Sequence, residues 1–164
     1  MAACGYSPVD VHSKIIRTKN MRAIKGKHTW PERHIRKLLH QLGFRFRLHP
    51  KQLPATPDIF LPKYHAAILV NSCFWHGHHC HLFHWPKSEP EKWRHKITQT
   101  QARDRRQLAE LAALNIRTLV VWECALKGRK RLNDRALGER LEEWLLTIQA
   151  PGELLWEGLF LLDQ

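Results

Sequence analysis

Acids are scarce in this chain. Against 27 lysines and arginines its 164 residues hold only 15 aspartates and glutamates, for a formal net charge of +12 at pH 7. A small domain this basic is drawn to a polyanion, not to a cationic partner. No apolar run is long enough to span a membrane, and no stretch has the form of a signal peptide, so a cytoplasmic protein without membrane attachment is expected. Cysteine is also sparse, at four residues. Three of the four fall into a metal-ligand pattern, which argues against a disulfide framework and for a reducing compartment. Internal repeats are absent. The length fits one domain with a proper core.

What is present is concentrated between Cys73 and Cys80, which read Cys-Phe-Trp-His-Gly-His-His-Cys. The Cys-x4-His-x-Cys run offers three soft ligands, and zinc takes four in a closed tetrahedral shell. Val120-Val121-Trp122-Glu123-Cys124 supplies the fourth. Cys73, His78, Cys80 and Cys124 therefore form a candidate structural Zn²⁺ site. The alternative is a set of buried thiols among surface histidines; close-set cysteines with histidine between them favour the metal. Four protein ligands close the shell, so the site is not suited to activating water. His76, Phe74 and Trp75 are left for other work.

Along the chain, residues 1–28 form a basic arm carrying Lys14, Arg17, Lys19, Arg22, Lys25 and Lys27, with Met21 and Ile24 among them. Thr29 to Gly43 reads as a capped helix with Ile35, Leu38, Leu39 and Leu42 on one face. Glu32 lies on the inward side as a capping-box acid or as part of a site, with capping favoured by the pattern. Phe44–Leu48 alternates like a half-exposed strand. Short strands follow at 56–61 and 66–70, a long helix at 90–114, a buried strand at 118–122, and a helix capped by Asn133 that reaches Ile148. Residues 151–164 are an apolar tail expected to pack on a domain spanning 29–150. Cys73 and Cys124 each follow a strand, so a shared metal requires those strands to be parallel and joined by a crossover helix. The fold class is α/β, a mixed sheet flanked by helices.

Asp58 sits in one short strand and Val70 ends the next. A carboxylate facing a backbone carbonyl makes a hard-oxygen pocket for Mg²⁺. Glu32 and His76 lie near enough in this topology to assist, and His76 could move a proton in phosphodiester cleavage. Asp104 is a carboxylate on an apolar helical stripe, and it needs a cationic partner to offset desolvation. Phe74 and Trp75 are adjacent, so in an extended chain they cannot both face one interior.

The chain resembles the very-short-patch-repair (Vsr) mismatch endonucleases. The likeness rests on Arg17-Thr18-Lys19-Asn20-Met21-Arg22-Ala23-Ile24, Pro57-Asp58, the run from Cys73 to Cys80, Arg103-Asp104-Arg105-Arg106, and Val121-Trp122-Glu123-Cys124-Ala125-Leu126. The resemblance implies a restriction-endonuclease-like fold and Mg²⁺-dependent nicking of double-stranded DNA on the 5′ side of the thymine in a T·G mismatch. Such mismatches arise when 5-methylcytosine deaminates, which links the enzyme to a cytosine-5 methyltransferase. It further implies that Asp58 and the Val70 carbonyl hold Mg²⁺, Glu32 belongs to the outer shell of that metal, and His76 transfers a proton with Asp104 in support. Phe74 and Trp75 become a major-groove wedge, Met21 enters from the minor groove, and Arg17, Lys19 and Arg22 contact DNA. Cys73, His78, Cys80 and Cys124 become the zinc ligands, and the enzyme acts as a monomer. The family often carries histidine where this chain has Asn71. An amide cannot transfer a proton, so a catalytic role for Asn71 is doubtful. The competing function is a non-catalytic, zinc-stabilised DNA-binding module, which accounts for the charge but not for the inward acids.

Overall fold

The computed structural model describes residue 16 and residues 26–162. Arg17, Lys19, Met21 and Arg22 lie outside them, as does most of the basic arm. Helix α1 spans Trp30–Gln41, β1 Arg47–Leu48, β2 Ile59–Leu61 and β3 Ala66–Asn71. Helix α2 spans Pro90–Ala113, β4 Arg117–Trp122, the short α3 Glu123–Leu126, α4 Asp134–Leu146, β5 Gly152–Leu155 and β6 Gly158–Leu161. Among the described residues no helix is long and apolar enough to cross a membrane.

The six strands form one sheet in sequence order. β1–β2–β3 and β5–β6 are antiparallel, whereas β3–β4 and β4–β5 are parallel. The parallel pair β3–β4 is joined through α2, as the two cysteines require. Side-chain alternation along the strands divides the core between two faces. Ala66, Ile68, Leu119 and Val121 point to one side, where Ile35, Leu38 and Leu39 of α1 meet Leu137, Leu141 and Trp144 of α4. Ala67 and Val120 point to the other side, toward Leu111 and Leu108 of α2. The result is three layers, helix–sheet–helix.

Four boundaries differ from the sequence expectation. The strand expected at 56–61 starts only at Ile59, which leaves Asp58 just outside it. The strand expected at Phe44–Leu48 shrinks to two residues, because Phe44 is buried against Tyr64 instead of joining the ladder. The last helix stops at Leu146, where its exit is tied down: Arg117 donates to the carbonyls of Trp144, Leu145 and Ile148. The tail does more than cover the domain. β5 pairs with β4 and β6 closes the hairpin, so residues 152–161 extend the same sheet. Trp144, fully buried, holds the approach to β5 by donating Nε1–H to the Ala150 carbonyl at 3.0 Å.

Candidate active site and metal centre

Both candidate centres lie at the C-terminal end of the parallel pair. The register there matches Val70 with Val121 and Asn71 with Trp122. Continued along the chain, it sets Ser72 beside Glu123 and Cys73 beside Cys124. The Ser72 hydroxyl donates to Glu123 at 2.9 Å. The two thiols are buried.

A tight turn completes the Cys/His group. His76, Gly77 and His78 donate back to the carbonyls of Ser72, Phe74 and Cys73. Gly77 is required there: its φ is +62°, and a Cβ would meet Ile97 Cγ2 at 2.5 Å. His78 stacks on Trp122 with ring centroids 4.1 Å apart, which fixes the imidazole plane. Its Nδ1 lies 3.5 Å from Cys73 Sγ and 3.7 Å from Cys124 Sγ. The ligand atoms of Cys73, His78, Cys80 and Cys124 all fall within 4.8 Å of one another. Zinc–sulfur bonds of about 2.3 Å imply tetrahedron edges of roughly 3.5–3.8 Å, and the two His78 distances fall in that range. The hydrogen bond from Cys73 draws the Cys124 thiol well below its ordinary range, with His78 assisting and burial opposing. Cys124 thus moves in the direction a thiolate ligand needs, while the same bond and burial push Cys73 up. The donor set therefore fits a soft, tetrahedral metal ion.

The second centre lines a groove of about 700 Å³ whose walls include Glu32, Asp58, Val70, Asn71, His76 and Asp104. Asp58 stands just before β2. Its Oδ2 accepts the Val70 N–H at 2.8 Å, taking the place of a ladder bond just ahead of the start of β2. Burial pushes its carboxyl up to about 6. The Val70 N–H, Arg36 and His76 pull the other way, and Glu32 adds to the rise. An ionised Asp58 is thus short of positive charge, and a divalent cation would supply it.

His76 Nδ1 and Asp104 Oδ2 are 2.5 Å apart, and Arg103 Nη2 lies 3.5 Å from Oδ1, so the acid of α2 has an imidazole partner on one oxygen and a guanidinium on the other. Gln101 donates to the His76 carbonyl at 3.1 Å and anchors the same residue through its backbone. Glu32 is 3% exposed. Its carboxylate accepts from the Thr29 hydroxyl and N–H, the His28 N–H and Arg36. The capping box is therefore formed, and Glu32 has few lone pairs left for anything else. Asn71 lines the groove beside Val70.

Phe74 and Trp75 sit in a turn, not an extended strand, so both rings reach one cluster. Each packs against Trp93 of α2, at 5.2 Å and 5.8 Å between centroids. Lys96 lies over Trp75 and Trp93.

A family model described as DNA mismatch endonuclease Vsr matches residues 9–82. The chain is 44% identical to the DNA mismatch endonuclease Vsr of Escherichia coli K12 over 153 residues, covering 93% of this chain and 98% of that protein. The chain belongs to the Vsr family. Type II nicking enzymes V.XorIIP of Xanthomonas oryzae pv. oryzae and V.NmeAIP of Neisseria meningitidis serogroup A are also similar. They are 46% identical over 70% of this chain and 85% of that enzyme, and 40% identical over 76% and 91%. Members of the Vsr family thus bear names for DNA-strand cleavage, and the mixed α/β sheet is consistent with a restriction-endonuclease-like fold.

Residue-level reasoning missed three participants in this Vsr chain. Arg36 and His49 fill the space between Glu32 and Asp58, with Arg36 donating to both Glu32 and His49. Trp93 joins the aromatic pair. The β1–β2 register held the signal for His49: Leu48 faces Ile59, so the next residue lies opposite Asp58. Trp93 was visible only as one member of a helical stripe.

Proposed function

We propose that the chain is a Mg²⁺-dependent endonuclease that cuts one strand of double-stranded DNA on the 5′ side of the thymine in a T·G mismatch. The lesion is the product of 5-methylcytosine deamination, which places the enzyme beside a cytosine-5 methyltransferase of matching site preference. One observation carries the reading. In a chain 44% identical to a DNA mismatch endonuclease, Asp58, His76 and Asp104 line a single groove.

Asp58 and the Val70 carbonyl would hold Mg²⁺. The cation, when bound, neutralises charge on the phosphate under attack. The buried Asp58 carboxylate favours a hard cation because it lacks a full counter-charge. Asp104 holds the proton of His76 on Nδ1 and leaves Nε2 to move a proton at the scissile phosphate. Glu32, its carboxylate taken up by the cap and by Arg36, would act on the groove by holding Arg36 in place. Asn71 has no proton to transfer and serves at most as a hydrogen-bonding wall.

Phe74 and Trp75, with Trp93 behind them, act as the wedge entering the major groove. Prying open a base step costs least where the pair is already mismatched, so the wedge contributes selectivity. Arg17, Lys19 and Arg22 hold phosphates and Met21 approaches from the minor groove. Cys73, His78, Cys80 and Cys124 would hold Zn²⁺, which would supply a structural cross-link for the turn that carries the wedge. The enzyme works as a monomer.

The test is a nicking assay with Mg²⁺ on three duplexes that differ only in a T·G, T·A or C·G pair. One break 5′ of the mismatched thymine, bearing a 5′-phosphate, is expected from T·G alone. Intact T·G duplex, or equal cutting of all three, would overturn the reading.

A further inference from the structure

His49 has no task in the scheme above, yet its side chain is only 10% exposed and lines the groove. Its Nε2 is 3.0 Å from Arg36 Nη2. Its Nδ1 is 3.7 Å from Asp58 Oδ1. Glu32 Oε2 is farther from Nε2, at 3.5 Å, and already accepts from the His28 N–H and Arg36; a guanidinium donates and never accepts, so at the shorter distance Nε2 presents its lone pair to Arg36. The ring proton then belongs on Nδ1, the side facing Asp58.

His28, Glu32 and His49 could be taken for a metal site, since their ligand atoms lie within 4.8 Å of one another. The Arg36 guanidinium occupies that position. It lies 2.8 Å from His28 Nδ1 and 2.6 Å from Glu32 Oε2, as well as against His49. The cation the cluster needs is already part of the chain.

We propose that His49 is a positioning residue for the catalytic carboxylate: an imidazole of fixed tautomer that aims Nδ1–H at Asp58 Oδ1 while the Val70 N–H holds Oδ2. The inference rests on Asp58 being the catalytic carboxylate. The 3.7 Å separation is longer than a direct hydrogen bond, so Oδ1 stays open to a second partner. The order of action is Glu32 on Arg36, Arg36 on His49, and His49 on Asp58. Three elements (α1, the end of β1 and the start of β2) thereby set the angle of one carboxylate.

The experiment uses full-length, zinc-loaded protein. Side-chain ¹⁵N NMR should show His49 protonated at Nδ1 and bare at Nε2, and Arg36→Ala should release that tautomer. Single-turnover nicking of a T·G duplex by His49→Ala should fall at saturating DNA by about 10-fold, the range for lost outer-shell partners. The Kd for DNA should not change. His49→Gln should recover most of the rate, because its amide can accept from Arg36 and donate toward Asp58. If His49→Ala does not fold, the glutamine variant and the tautomer decide. A proton on Nε2, an unchanged rate, or a loss seen only in Kd would overturn the proposal. Asp58→Ala runs alongside: an active Asp58→Ala breaks the reading of the site itself, whereas an inactive one with a normal His49→Ala breaks only the role of His49.

Discussion

At one end of the sheet, two clusters stand side by side with opposite designs. Cys73, His78, Cys80 and Cys124 turn inward on each other, with the thiols of Cys73 and Cys124 buried, that of Cys80 half-buried, and an imidazole clamped by Trp122. Asp58 and His76 face an open groove, and each is braced from behind by one hydrogen bond, from Val70 and to Asp104. The same strand register produces both. It carries Cys73 to Cys124 and ends β3 where Asp58 can capture Val70. A closed set of soft donors suits a metal that holds structure. An open carboxylate with incomplete charge compensation suits one that meets substrate.

The comparison breaks first, and hardest, at Cys124. Cys124→Ser should lose the metal, expected at about one zinc per chain, and destabilise the fold by on the order of 5 kcal/mol or more, since binding at such sites is coupled to folding. Metal analysis and a thermal melt check this. A variant with full zinc and an unchanged melt would remove Cys124 from the ligand set.

Asp58 should behave in the opposite way. Burial raises its carboxyl from 3.8 to about 6. Below pH 4 both folded and unfolded chains hold the proton, and the site costs nothing. Above pH 6 the folded chain must ionise a buried acid, at a cost on the order of 2–3 kcal/mol without a cation. Metal removal from the groove therefore exposes a penalty where metal removal from the cysteines exposes a loss. In Mg²⁺-free buffer Asp58→Asn should be more stable than wild type at pH 7, with the gap closing between pH 6 and pH 4. Urea melts across that range measure it, and a gap that widens on acidification would reverse the account.

A smaller effect is expected at Asp104. Removing the acceptor of His76 Nδ1 should lower turnover by about 10- to 100-fold, the range for positioned acid–base groups and their supports. Zinc content should stay the same. A loss of zinc together with turnover would merge the two clusters into one structural unit. The smallest effect belongs to the aromatic edge between them. Trp93→Ala should weaken T·G binding by about 1 kcal/mol, or roughly fivefold, through lost ring packing. Competition binding between T·G and T·A duplexes reads it, and an equal loss for both would make Trp93 general support for the turn.

The soft cluster was legible in the sequence because its ligands are local or follow strand ends, so spacing alone constrains them. The parallel β3–β4 pair followed from the same four residues. Asp104 was legible as a misplaced acid, and its partner His76 as the free histidine of the octet. His49 was not, because it reaches Asp58 only through a two-residue strand whose pairing no local pattern reveals. The β5–β6 hairpin was visible as apolar chain, but its place on β4 depends on a tertiary contact with no sequence period. Glu32 could be read as cap or site, and it does cap α1 while its carboxylate pairs with Arg36 at the groove wall.

The division of labour between the clusters is tested most directly by Asp58→Ala protein carrying its full zinc complement, in single-turnover nicking of a T·G duplex with Mg²⁺. The account predicts a wild-type gel shift, a wild-type metal count, and cleavage slower by about 10³-fold or more, the scale of losing a metal's charge stabilisation. Cleavage at the wild-type rate by that zinc-replete variant would contradict it.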